Sequence, residues 1–168
     1  PLTGVMEVNN VGANYGSSIV FLFFGGFVLA LGLEKVNLHR RIALTIIKKT
    51  GTSPNKVILG FMIATAFMSM WISNTASTVV MLPIALSVIN LLIDQAESSK
   101  KQTKNFALSV MLGIAFSANA GGIATVIGTP PNSVLIGLLE NEYNIQISFV
   151  KWMMIGLPFS VALIAIIY

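Results

Sequence analysis

Val57 to Ile93 is an unbroken run of 37 residues without a single charge. A helix rises about 1.5 Å per residue, so one continuous helix of that length would measure about 55 Å. A bilayer's hydrocarbon layer is only about 30 Å thick. Such a segment cannot project into water, and two full crossings with a turn would need more than about 40 residues. The tract must therefore turn around inside the membrane. Its midpoint falls near Thr75, in "MWISNTASTVVMLP" (Met70 to Pro83), where Ser73-Asn74-Thr75 interrupts the apolar residues.

A second uncharged tract, Asn105 to Leu139, has 35 residues and is broken by "NAGGIATVIGTPPN", Asn119 to Asn132. Gly121-Gly122, Gly128 and Pro130-Pro131 are costly in a regular helix. The tract reads as a helix that breaks, runs irregularly and restarts. Irregular backbone at membrane depth persists only where protein or a watery cavity covers it. Composition agrees with a membrane setting: 55% of residues are hydrophobic, 10% are charged, and the mean hydropathy is +0.83. The expected fold class is an all-α membrane protein. Pro1 in place of Met, and an apolar run from Trp152 to Tyr168, read as part of a larger membrane protein.

The expected organisation follows from the charges. Residues 1–16 form an extracytoplasmic segment, and 17–36 a transmembrane helix. Residues 37–56 carry Arg40, Arg41, Lys48, Lys49 and Lys56 with no acid. Ile42, Ile46 and Ile47 lie between the basic pairs at helical spacing, as in an amphipathic arm at the interface. Residues 57–93 are the re-entrant hairpin and 94–104 a net basic loop. Residues 105–139 are the broken helix, and 152–168 a further span. The basic loops flanking 57–93 place both its ends on the cytoplasmic side; the acidic loop Glu140 to Lys151 lies opposite. The net charge of +4 belongs to this topology pattern and implies no nucleic-acid partner.

Several chemistries are excluded. With no Cys and one His (His39, beside Arg40), neither a disulfide framework nor a transition-metal site is expected. The glycine-rich stretch lacks the Gly-Lys-Ser/Thr of a phosphate loop. No acid lies near an intramembrane Ser, so no hydrolytic triad forms and the chain is not expected to be an enzyme. Two interrupted apolar segments instead point to a transporter substrate site. Broken helices expose N–H groups, which attract anions, and carbonyls, which hold hard cations. A carboxylate-free oxygen set favours a monovalent ion such as Na⁺. Ser69 and Ser73, four apart, are expected on one helical face. Asn74 offers an oxygen to a cation and an NH₂ to an anion, and Thr75 adds a donor. The competing role for these hydroxyls is bonding back to the preceding turn. A channel with re-entrant segments and a purely structural subunit are the rival classes.

"SNT" after "MSMWI", then "TVVMLP" and "GGIATVIGTPPN", resemble the divalent anion/sodium symporter family of sodium-dependent dicarboxylate, citrate and sulfate transporters. "FLFFGGFVLALGLEKVNLHRRIAL" (Phe21 to Leu44) and the opening "PLTGVM" are similar to stretches of the same family. The resemblance implies an inverted-repeat fold, of which this chain carries the first hairpin and broken helix. It implies an Na⁺ site at Ser69, Ser73, Asn74 and Gly128. It places a dicarboxylate or other divalent anion at Asn74 and Thr75, with Thr129 and Pro130 beside it. It further implies elevator-type transport, a multi-pass protein of the cell membrane, and a homodimer formed through a scaffold that includes residues 17–49. A sodium-independent anion exchanger is the alternative within that family.

Overall fold

The computed structural model describes residues 7–16, 18–51, 53–95 and 100–168. The start of the expected 1–16 segment, Ser17, Thr52, positions 96–99 of the expected 94–104 loop and the His39 side chain lie outside the described residues. Every regular element among the described residues is an α-helix: α1 (Val8–Tyr15), α2 (Ser18–Lys35), α3 (Leu38–Thr50), α4 (Pro54–Ser69), α5 (Asn74–Gln95), α6 (Lys100–Gly122), α7 (Pro130–Tyr143) and α8 (Phe149–Ile167).

The 37-residue tract is two helices. α4 starts with Pro54 in its first turn, where a missing N–H costs nothing. Its last turn tightens, with the Trp71 N–H donating to the Met68 carbonyl at 3.0 Å. Four residues, 70–73, separate α4 from α5, which begins at Asn74. The second tract likewise divides into α6 and α7. The prolines lie differently from the expected interruption: Pro130 and Pro131 open α7. Gly121 and Gly122 also differ from expectation, because both belong to the last turn of α6. Packing offsets their poor helix propensity. A Cβ on Gly121 would lie 2.6 Å from the Cα of Ala66, so only glycine lets α6 approach α4 this closely. The 94–104 segment is helical where it is described, because Lys100, Lys101 and Gln102 are good helix formers and nothing there stops α6.

The core is built from α4, α5 and α6. Phe61, Ala64 and Met68 of α4 meet Met81, Ile84 and Ala85 of α5 and Val110 and Ile114 of α6. The methionines at 62, 68, 70 and 81 are all buried packing residues, as their apolar setting implies. α3 lies along α4, and α8 packs on α6. α8 is long and apolar enough to cross a bilayer; Val20–Gly32 and Asn74–Asn90 are shorter apolar stretches. Its exposed face carries Val150, Met154, Ile155, Phe159 and Ile166. That much apolar surface fits lipid contact rather than water. The Ser148 hydroxyl caps α8, accepting from the Lys151 N–H at 3.3 Å.

Candidate functional site

The two helix breaks meet. Three side chains reach across from one to the other over 45 or more residues of sequence. The Ser69 hydroxyl, at the last residue of α4, lies 2.6 Å from the carbonyl oxygen of Ala118 on α6. It also lies 2.7 Å from Asn74 Oδ1 at the first residue of α5. Asn74 Nδ2 donates to Asn119 Oδ1 at 3.0 Å. The Thr125 hydroxyl, within the second break, donates to the Met70 carbonyl at 2.5 Å.

The oxygen arithmetic at Ser69 is unusual. A hydroxyl has one proton, yet two acceptors stand within hydrogen-bond distance of it. Whichever acceptor receives that proton, the other faces lone pairs. Three oxygens thus converge on a site with one hydrogen between them. Ser69 is fully buried, and Asn74 is half-buried beside it. A small hard cation would satisfy all three, which is the donor chemistry expected of Na⁺.

Ser73 occupies a different place from the one its spacing predicted. The expected common face with Ser69 assumed one continuous helix. Because α4 ends at Ser69, Ser73 stands just before α5 and caps it: its Oγ accepts from the Ala76 N–H at 3.2 Å. The Ser73 carbonyl accepts from the Ser77 N–H at 3.0 Å. Thr75 is exposed and, with Ser73, lines a cavity of about 570 Å³ walled by Phe27, Ala30, Leu31 and Ile72. The carbonyls of α5's own first turn are engaged onward, with the hydroxyls of Ser77 and Thr78 bonding back to Ser73 and Asn74.

Gly128 is buried, and a Cβ there would meet the Gly122 carbonyl oxygen at 2.5 Å and the Ser69 carbonyl oxygen at 3.0 Å. Its N–H donates to Thr125 Oγ1 at 3.0 Å. Ser69, Asn74 and Gly128 are therefore neighbours. Thr129 is the N-cap residue of α7 and is half-buried; Pro130 is exposed. Neither makes a hydrogen bond to the α4–α5 break among the described residues. Since Pro130 and Pro131 have no N–H, the start of α7 offers an anion its dipole field rather than first-turn donors. At α5 the Ala76 N–H is taken by Ser73 Oγ, but the N–H groups of Asn74 and Thr75 have no carbonyl one turn earlier within the helix.

The surroundings are held by residues the motif reading did not assign. Asn132 is 8% exposed, and its Nδ2 donates to the carbonyls of Gly122 at 2.9 Å and Thr125 at 2.7 Å. The Ser133 hydroxyl donates to the Val126 carbonyl at 2.8 Å. Trp152 Nε1, from α8, donates to the Ile123 carbonyl at 3.0 Å. The carbonyls of Gly122, Ile123, Thr125 and Val126 thus each find a side-chain donor, as buried backbone requires. Asn119 and Asn132 were visible as amides within an uncharged tract, a signal that they serve a purpose. Nothing in the sequence ties Thr125 to Met70.

No group of three His, Cys, Asp or Glu side chains suited to a metal ion occurs among the described residues. No acid stands in the first turn of α5 or of α7. Both helix N-termini therefore keep their positive ends unneutralised by their own side chains.

Residues 1–168 match the family described as "Citrate transporter". The chain is 44% identical over 168 residues to the sodium-dependent dicarboxylate transporter SdcS of Staphylococcus aureus strain USA300. It is equally similar to the protein of that name from strain NCTC 8325. Each match covers 99% of this chain and 32% of the relative, so the chain spans about a third of the length of the curated relatives it matches.

Proposed function

The chain belongs to the citrate transporter family, a membrane protein family, and on that premise we propose that it supplies half of the binding site of a sodium-coupled dicarboxylate symporter. The observation that carries this reading is the convergence of Ser69 Oγ, Asn74 Oδ1 and the Ala118 carbonyl where two broken helices meet. The name of the relatives, sodium-dependent dicarboxylate transporter, supports the same ion and substrate class.

In this reading Na⁺ is cargo, held by oxygens of Ser69, Ser73, Asn74 and Gly128. A dicarboxylate, or another divalent anion, meets the donors of Asn74 and Thr75, with Thr129 and Pro130 beside it. The missing half of the site comes from a second, inverted repeat. Burying a dianion is very costly unless positive charge is supplied. Val57 to Ile93 and Asn105 to Leu139 contain no Lys or Arg. The charge then comes from co-bound Na⁺ and the N-termini of α5 and α7. Na⁺ holds Ser69 and Asn74 together, with the Ala118 carbonyl beside them, which fixes the start of α5 and its N–H groups. Each ligand then raises the other's affinity, as linkage requires. Residues 57–93 act as a re-entrant hairpin and 105–139 as the broken helix. They move elevator-fashion in a multi-pass protein of the cell membrane against a homodimeric scaffold that, with its interfacial arm, includes residues 17–49. The chain catalyses no chemical reaction.

The deciding experiment is uptake of radiolabelled succinate by proteoliposomes containing the complete protein that carries this chain. Uptake should saturate and should collapse when Na⁺ is replaced by choline. Saturable uptake indifferent to Na⁺ would mean an anion exchanger, and non-saturable flux a channel; either result overturns the symport reading.

A further inference from the structure

The basic residues of Lys35 to Lys56 have an arrangement that the site does not use. Between Val36 and Lys56 there are five basic residues and no acid. Opposite charge within the segment therefore neutralises none of them. The tertiary structure decides which way they face. α3 lies on α4 so closely that a Cβ on Gly60 would be 3.3 Å from the Cα of Ile47 and 3.0 Å from the Thr50 hydroxyl. Ile46 and Ile47 pack against the buried core.

At 100° per residue, Ile42, Ile46 and Thr50 share one side of α3, and Arg41, Leu44 and Lys48 share the opposite side. Arg40, Arg41, Lys48 and Lys49 are all exposed. Leu44 stands between Arg41 and Lys48 and is 45% exposed. α3 is thus amphipathic twice over. Its isoleucine face is already occupied by α4, and its outward face is a cationic strip with an apolar residue at its centre. The strip is tied at each end to an apolar helix, α2 before it and α4 after it.

We propose that the outward face of α3 is a docking surface for the anionic phospholipid headgroups of the bilayer in which the neighbouring helices sit. Charge complementarity fixes the ligand's sign. Leu44 distinguishes a lipid surface from a soluble polyanion, because an apolar side chain flanked by cations gains by entering the boundary between headgroups and acyl chains. The rigid seat of α3 on α4 makes the surface preformed rather than folded on contact.

The test reads lipid association directly, without any transport step, so its outcome is independent of the symport reading. The complete protein is reconstituted in phosphatidylcholine membranes containing trace spin-labelled phosphatidylglycerol or spin-labelled phosphatidylcholine. Each basic residue near an anionic surface changes association roughly fivefold at low salt. The wild type should therefore favour phosphatidylglycerol several-fold. The variant Arg40→Gln/Arg41→Gln/Lys48→Gln/Lys49→Gln should lose most of that preference, and Lys48→Arg/Lys49→Arg should keep it. The wild type in about 0.5 M salt should lose it too, since the Debye length then falls to a few ångströms; this arm needs no variant to fold. Equal association of the two lipids with wild type would overturn the proposal. So would a quadruple variant with undiminished preference, insensitivity to salt, or displacement of the lipid by millimolar inorganic phosphate.

Discussion

Replacing Gly121 with Ala adds one methyl group at the place where α6 crosses α4. In an exposed helix this change stabilises by about 1 kcal/mol, because Ala is the better helix former. Here the sign should reverse. The new Cβ would lie 2.6 Å from Ala66 Cα and 2.7 Å from its carbonyl carbon. Carbon atoms rest about 3.5–4.0 Å apart. The backbones must therefore separate by about 1 Å, and no flexible side chain is available to yield. Overpacking of this kind costs about 1–3 kcal/mol. Ala66 is one turn before Ser69, so the movement reaches the site. A shift of about 1 Å would stretch the 2.6 Å contact between the Ser69 hydroxyl and the Ala118 carbonyl beyond useful hydrogen-bond range. The assay is thermal unfolding of the complete protein in detergent, with and without Na⁺. Gly32→Ala is the control, since nothing lies within 4 Å of a Cβ there. Gly121→Ala should melt several degrees lower and lose most of the stabilisation given by Na⁺. Gly32→Ala should be neutral or slightly stabilised. If the two variants behave alike in both readouts, the close approach of α4 and α6 does not shape the site.

Asn132→Leu leaves the Gly122 and Thr125 carbonyls buried without their donor. At about 1–3 kcal/mol for each group this is among the most destabilising single changes in the chain, and thermal unfolding that matches wild type would refute it. Thr125→Val keeps the shape but removes the link between the two breaks, so the Gly128 amide should exchange hydrogen faster; unchanged exchange would show that the link is idle. Asn74→Ala should abolish Na⁺-dependent binding with membrane insertion intact. Asn119→Ala, which only frees the Asn74 amide to rotate, should raise the Na⁺ requirement about tenfold, the scale of losing a group that orients a ligand. Equal effects at the two positions would contradict these separate roles.

Much was legible without a structure. An uncharged run longer than a bilayer is thick must break, and the break between α4 and α5 does fall just before the tract's midpoint. Periodicity revealed the apolar side of α3, because Ile42, Ile46 and Ile47 recur at helical spacing. The polar residues of the tract singled out Ser69 and Asn74, and the family resemblance added Gly128; the three do become neighbours. The sequence reading failed where it assumed a single helix from Ser69 to Ser73, and where it judged Gly121-Gly122 by propensity alone. Propensity describes a residue against water and its own turn. Gly121 is chosen by a helix that lies 55 residues earlier in the chain.

What the sequence determined by itself is local and energetic. Uncharged length compels a membrane setting, Pro54 and Pro130 set where helices begin, and the absence of carboxylates restricts any bound cation to neutral oxygen ligands. What only the tertiary structure decided is which oxygens meet. Ala118 contributes through its carbonyl, a group every residue carries, and Thr125 finds Met70 across 55 positions. Neither pairing can be signalled by residue type, because a backbone carbonyl becomes distinctive only when packing leaves it facing a partner in a place that water cannot reach.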